Sequence, residues 1–206
     1  FEMYEKLFKK LYYLPRSITG KNNRESLKIL KHYAPIKIKS VKTGTKVFDW
    51  IVPKEWNLIE AWIKNSKGEK IINVTNNHIN IINYSHSINK KLNFKELKKY
   101  LIVSKTDDLD SIPYRTSYYK KKIGFCLSKN QYLEILKNKK DKFHIFINSN
   151  LVNGTLNYGE VIIRGKSKKE ILISSYFCHP QQANDSLSGV IMSLKSIKYL
   201  RSLKNN

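Results

Sequence analysis

Between Tyr4 and Tyr13 the apolar residues Leu7, Phe8 and Leu11 recur at helical spacing and Pro15 ends the run, so the chain is predicted to open on an amphipathic helix. A second helix is predicted over 22–33, with Leu27, Ile29 and Leu30 facing inward and Pro35 closing it. Ile36, Ile38 and Val41 then alternate with Lys37 and Lys39, the period-two pattern of a half-exposed strand.

From Phe48 to Phe143 the texture changes. Short β-branched and aromatic runs at 61–63, 71–74 and 79–84 are separated by turn-forming residues at 65–68 and 76–77, and two short helices, over 94–101 and 129–136, interrupt them. This stretch is predicted to be mainly β. The last third returns to longer elements: strands over 143–147 and 160–163, a turn at 164–169, and an almost unbroken apolar run from Ile171 to Phe177. Such a run suits a strand buried on both faces of an α/β sheet. Leu187, Val190, Ile191, Leu194 and Ile197 then repeat at helical spacing as far as Leu200. Strand, loop and helix in that order is where α/β proteins place their sites.

The 206 residues suffice for one domain or two small ones, and an apolar fraction of 41% with 12% aromatics excludes a disordered chain. No apolar run approaches the roughly 18 residues a membrane span needs, and Phe1 opens a charged segment unlike a signal peptide. Phe1 standing where an initiator Met is expected points to a partial chain. Cys126 and Cys178 lie far apart and match no Cys-x-x-Cys pattern; that fits a reducing compartment, and the chain is read as cytoplasmic. Lys and Arg number 39 against 16 Asp and Glu, a net charge of +23 that favours contact with polyanions. The cations are nearly all Lys and are scattered rather than interleaved with aromatics. That pattern argues against nucleic acid as the main partner and keeps an anionic glycan in view.

The loop between the apolar run and the last helix carries Cys178, His179, Pro180, Gln181, Gln182, Ala183, Asn184, Asp185, Ser186, Leu187, Ser188 and Gly189. An imidazole at the carboxyl end of a buried strand and a carboxylate at the amino end of the next helix can converge on one point, and both ligate zinc well. Plainer roles fit the same residues: Asn184 or Asp185 as a helix N-cap, and His179 as a strand-end histidine bonded to backbone. Two other chemistries are set aside. The stretch from Ser186 to Gly189 lacks the glycine two residues before its serine that a nucleophile elbow requires. Cys178 and His179, as strand neighbours, would point to opposite faces and not act as nucleophile and base, which makes Cys178 a buried structural thiol.

Motifs along nearly the whole chain add to this loop. They are Arg16 to Gly20 with Arg24; Gly44 to Trp50 with Val52, Pro53, Glu55 and Trp56; Thr116 to Tyr119 with Gly124 to Ser128; and Gly154 to Leu156 with Tyr158 to Glu160. In these residues, their order and the His179 to Gly189 loop, the sequence resembles bacterial aminopeptidase-like proteins. Those proteins have a zinc-exopeptidase fold related to the M28 peptidases and are often encoded among polysaccharide-biosynthesis genes. The resemblance implies a phosphorylase/hydrolase-like α/β core that holds two zinc ions, with a mainly-β domain inserted after the first helices. For this chain it implies the amino-terminal part of the core over 1–47, the inserted domain over 48–142, and the continuation of the core with its metal loop over 143–206.

By motif position His179 resembles a ligand of one zinc and Asp185 the carboxylate bridging both, so that two cations share a hydroxide that attacks an amide carbonyl. Proteins of that family continue into a second half that supplies further His, Asp and Glu ligands and a general-base glutamate. The general base is therefore expected beyond residue 206, and the 206 residues alone are expected to hold zinc weakly and to be inactive. The function this implies is a zinc-dependent aminopeptidase-like hydrolase, present as its amino-terminal portion and acting on a peptide-like or amino-sugar amide substrate. The alternative is a non-catalytic basic module that binds an anionic glycan or nucleic acid. Whether Arg16, Asp49 and Tyr118, which lie in these motifs, face substrate or pack structurally stays open, as do the substrate, metal identity, oligomeric state and whether the chain is a piece of a larger enzyme or a natural truncation.

Overall fold

The computed structural model describes residues 2–204, so the readings made at Phe1 and at the chain's end at Asn206 fall outside the described residues. The chain divides into two compact units, one running to Glu55 and resuming at Asn153, the other spanning Trp56–Val152. The unit boundaries fall after Glu55 and after Val152, against the expected positions after Val47 and after Lys142.

The first unit opens with α1 (Glu2–Tyr12), which buries Leu7 and Leu11 and carries Glu2 and Glu5 in its first turn and Lys9 and Lys10 in its last, the charge order that suits the helix dipole. Gly20, at φ 105, starts α2 (Lys21–Lys31) from a left-handed conformation that glycine reaches without steric cost. Leu27 and Leu30 are its buried apolar face. Then come β1 (Lys37–Lys42) and a small hairpin of β2 (Lys46–Val47) and β3 (Trp50–Ile51).

The second unit holds most of β4 (Glu55–Lys64), then β5 (Lys70–Asn73), β6 (Ile88–Leu92), α3 (Phe94–Leu97), β7 (Leu101–Val103), β8 (Phe125–Leu127), α4 (Lys129–Lys137) and β9 (Phe143–Val152). Its main sheet has the strand order β5-β4-β9-β6, and β7 pairs with β8 in parallel. Phe143, Ile145 and Ile147 of β9 are buried while His144 and Phe146 between them are half-exposed, the alternation of a sheet with one covered face. Both α3 and α4 begin with reciprocal capping boxes, Asn93 with Glu96 and Ser128 with Gln131. The run at 79–84 does not form the expected strand. His78–Asn80 make a 3₁₀ turn because the Asn77 side chain accepts from the Ile79 N–H, and Ile81 and Asn83 contribute isolated bridges.

Back in the first unit, β10 (Thr155–Glu160) pairs antiparallel with all of β1, from Lys37 opposite Glu160 to Lys42 opposite Thr155. The chain ends its described part in α5 (Ser188–Lys204). Leu7 and Leu11 of α1, Leu30, Ala34 and Ile36, and Leu187, Val190, Ile191 and Leu194 form one core cluster, with Phe177 and Val161 packed at its margin. The fold is therefore mixed α/β with small, mostly antiparallel sheets. No helix among the described residues is long and apolar enough to cross a membrane.

Two strand expectations are corrected here. The strand placed at 160–163 lies at Thr155–Glu160 instead, because the six-residue ladder with β1 selects that segment. The apolar run from Ile171 to Phe177 forms no strand, and Ile171 and Leu172 are 92% and 90% exposed. A strand buried on both faces needs a neighbour on each side. Among the described residues β1 and β10 pair only with each other, which leaves this run no ladder to join.

Candidate functional site

The loop after Phe177 is anchored to the carboxyl end of α1. Gln181, in a left-handed conformation at φ 49, donates its N–H to the Tyr12 carbonyl at 3.1 Å. Beneath the loop lies Arg16, 1% exposed. Its Nε donates to the Phe177 carbonyl at 2.7 Å, one Nη to the His179 carbonyl at 2.9 Å, and the other Nη to the Leu11 carbonyl. A guanidinium presents five N–H donors in a rigid fork and accepts nothing, so three convergent backbone carbonyls are a natural seat for it. Leu11 is in the last turn of α1, whose carbonyls have no partner within the helix. One side chain thus ties a helix end to the start of the candidate loop, on either side of Cys178.

His179 and Asp185 are brought together. His179 Nε2 lies 3.7 Å from Asp185 Oδ2, too far for a direct hydrogen bond, with the side chains 17% and 52% exposed. Burial foremost, with the Arg16 charge adding to it, holds the imidazole below its ordinary range against the opposing pull of Asp185. The neutral form that this favours is the one that ligates metals. The other oxygen of Asp185 accepts from the Tyr176 hydroxyl, and that bond, with burial behind it, raises the phenol above its usual range. Asp185 and Ser186 leave helical geometry within the turn Ala183–Leu187, and the peptide bond between them is cis. Ser186 Oγ donates to the Tyr176 carbonyl. The cap position of this turn is Gln182, not Asn184 or Asp185.

Cys178 departs from expectation. Its sulfur is half-buried and lies 3.0 Å from His179 Nδ1, whereas a strand would set the two side chains on opposite faces. No strand forms there, so the alternation does not apply. With Nδ1 held against sulfur, Nε2 is the ring nitrogen that faces Asp185.

The donor set can be tested against zinc. Nitrogen at about 2.0 to 2.1 Å and oxygen at about 2.0 to 2.2 Å in a tetrahedral shell stand roughly 3.4 Å apart. The 3.7 Å separation in the loop needs an adjustment of only tenths of an ångström. His179 and Asp185 therefore fit as half of a zinc site. No group of three or more His, Cys, Asp or Glu placed to share an ion occurs among the described residues.

The other motif residues separate by role. Asp49 is exposed in the β2–β3 turn, and Tyr118, in the second unit, packs edge-on to Tyr84 with ring centroids 5.1 Å apart. Glu55, singled out only as a motif member, is a buried carboxylate whose two oxygens pair with the Arg24 guanidinium, one of them at 3.1 Å, and it accepts from Thr155 N–H at 2.8 Å. Burial pushes this carboxyl up, but the hydrogen bonds from Arg24 and Thr155 outweigh it and hold it below the ordinary glutamate value. The only signal for this triad in the sequence was that Arg24, Glu55 and Thr155 each lie in a recognised motif.

A mixed α/β chain that presents a His and an Asp on a braced loop before a long helix is the class the fold and site define. The chain belongs to the DUF4910 family, described as a domain of unknown function, whose profile matches residues 5–206. It is 43% identical over 198 residues to a protein of Clostridium acetobutylicum, provisionally named a polysaccharide biosynthesis protein with an aminopeptidase-like domain, covering 96% of this chain and 45% of that protein. The crystal structure of a Clostridium acetobutylicum protein provisionally described as a peptidase matches 98% of this chain with a TM-score of 0.90 and 43% identity, over 46% of its own length. The chain thus spans about half the length of the relatives it matches. At the level of these names, one relative carries an aminopeptidase-like domain and a tie to polysaccharide biosynthesis and the other is a peptidase, in line with the resemblance.

Proposed function

We propose that the chain forms part of a zinc-dependent, aminopeptidase-like hydrolase that cleaves an amide with metal-activated water. The observation that carries this reading is the convergence of His179 Nε2 and Asp185 Oδ2, 3.7 Å apart, on a loop whose backbone Arg16 fixes. In this reading the unit containing α1, α2 and α5 is the peptidase core and Trp56–Val152 is the inserted domain. His179 and Asp185 hold the metal, which when bound supplies a Lewis acid and lowers the pKa of bound water. The chain's own residues orient these ligands: Cys178 engages Nδ1 and so turns Nε2 toward the site, and Tyr176 holds one carboxylate oxygen. The remaining ligands and the general-base glutamate come from segments that the relatives carry outside the matched half. The substrate is a peptide-like or amino-sugar amide, the second supported by the polysaccharide biosynthesis name of one relative.

Zinc titration by calorimetry tests this reading. A four-ligand site is worth about 10 to 16 kcal/mol, so two ligands contribute roughly 5 to 8 kcal/mol, a Kd between about 1 μM and 0.2 mM. His179→Ala and Asp185→Ala each weaken binding at least about tenfold on the same basis. Zinc binding that survives unchanged in the double variant contradicts the assignment.

A further inference from the structure

We propose that a cleft on the Trp56–Val152 unit binds an acidic sugar, meaning a hydroxyl-bearing ring that carries a phosphate or carboxylate. The cleft has a volume of about 320 Å³ and is lined by His86, Ser87, Lys121, Ile123, Ser149 and Leu151. That size is at the small end of ligand sites and suits a single sugar unit.

Three features of the lining define the ligand. The first is charge: the lining includes an ammonium and an imidazole and no carboxylate. Burial first, and the Lys121 charge second, keep His86 below its ordinary range, in line with the two groups lining one cleft. A second cation is disfavoured there and an anion is favoured. Lys120 and Lys122 on either side of Lys121 are exposed and extend the positive approach.

The second feature is the direction of the hydroxyl protons. Ser87 Oγ donates to the Ser149 carbonyl at 2.6 Å and accepts from Ser149 N–H at 3.0 Å, while Ser149 Oγ donates to the Ser85 carbonyl at 2.7 Å. A hydroxyl has one proton and two lone pairs, so both protons are committed inward and the oxygens offer the cleft acceptor capacity. Acceptors require a ligand that donates. Sugar hydroxyls do so, whereas a phosphate diester in DNA has no O–H to give.

The third feature is apolar. Ile123 and Leu151 form aliphatic walls beside these polar groups, as the C–H face of a pyranose requires. Cation, acceptors and aliphatic wall together match an acidic sugar better than a bare anion or a neutral sugar. The inference stands independently of the His179–Asp185 loop.

The test is an NMR titration of the 206-residue chain that follows the His86 ring signals with five probes: glucuronate, glucose 1-phosphate, glucose, inorganic phosphate and an oligodeoxythymidine. Saturable shifts with glucuronate or glucose 1-phosphate are expected, and the tighter of the two identifies the anionic group. Glucose and inorganic phosphate are expected to bind at least fivefold more weakly. Lys121→Glu is expected to weaken acidic-sugar binding at least tenfold, while Lys99→Glu, exposed and outside the cleft, and Asp185→Ala leave it unchanged. Glucose or inorganic phosphate binding as tightly as the acidic sugars overturns the proposal, and so does a failure of every probe to shift His86. Tighter binding of the oligonucleotide also overturns it and assigns the cleft to nucleic acid.

Discussion

Replacing Arg16 by methionine keeps much of the side-chain shape and removes the three-way brace beneath the His179–Asp185 loop. Arg16 donates to the carbonyls of Leu11, Phe177 and His179 from a site that is 1% exposed. Each hydrogen bond from a charged donor is worth about 1.5 to 3 kcal/mol, while the Leu11 carbonyl keeps a second donor in the Leu14 N–H at 3.2 Å. Loss of the buried charge offsets part of that sum, since the guanidinium no longer has to be stripped of water. The expected net loss is about 3 to 5 kcal/mol, a large share of the roughly 5 to 15 kcal/mol that holds a domain folded. At about 2 to 4 °C per kcal/mol for a chain of this size, Tm falls by roughly 6 to 20 °C. Arg16→Lys, which keeps the charge but not the fork, falls between the wild type and Arg16→Met. Urea and thermal unfolding followed by circular dichroism give both numbers, and zinc titration of Arg16→Lys reads whether His179 has lost its position. Arg16→Met within about 1 kcal/mol of the wild type, the range of a neutral surface change, refutes the brace.

Three further outcomes follow from particular contacts. Glu55 has a carboxyl held below its ordinary 4.5, so the stability it adds is complete above about pH 4.5 and is lost as the pH falls through its folded value; urea midpoints between pH 3 and 7 should show this acid limb flattened in Glu55→Gln. Gly124→Ala puts a Cβ 2.2 Å from the Tyr100 carbonyl oxygen, at φ +153 and against main chain that cannot yield cheaply, so its urea midpoint should correspond to a loss of more than about 2 kcal/mol. Cys126 is fully buried with its thiol pushed up to about 12, chiefly by burial, so at pH 8 a disulfide reagent should label the half-buried Cys178 in the native chain and reach Cys126 only on unfolding.

Local periodicity made α1, α2 and α5 legible in the sequence, because each hides a stripe of apolar residues at a spacing that only a helix brings to one side. The strands were less legible where pairing rather than pattern decides. Thr155–Glu160 buries only Asn157 and so shows no apolar alternation; its ladder with β1 makes it a strand. Ile171–Phe177 has the composition of an interior strand, yet composition cannot supply the flanking strands that would hold it. At the site, His179 and Asp185 were legible as a pair because each is a metal-ligating type in a short loop. The role of Arg16 was not, since its partners are main-chain carbonyls, two of them more than 160 residues away, and carbonyls leave no signature in a sequence. The contact of Cys178 with His179 was hidden for a related reason: it depends on the segment not being a strand.

The most direct test of the central claim is anomalous diffraction at the zinc edge from crystals of the 206-residue chain grown with zinc. The account predicts a peak about 2.0 to 2.2 Å from both His179 Nε2 and an Asp185 carboxylate oxygen, with Cys178 still against Nδ1. Zinc bound elsewhere while those two side chains keep their 3.7 Å separation with nothing between them contradicts it.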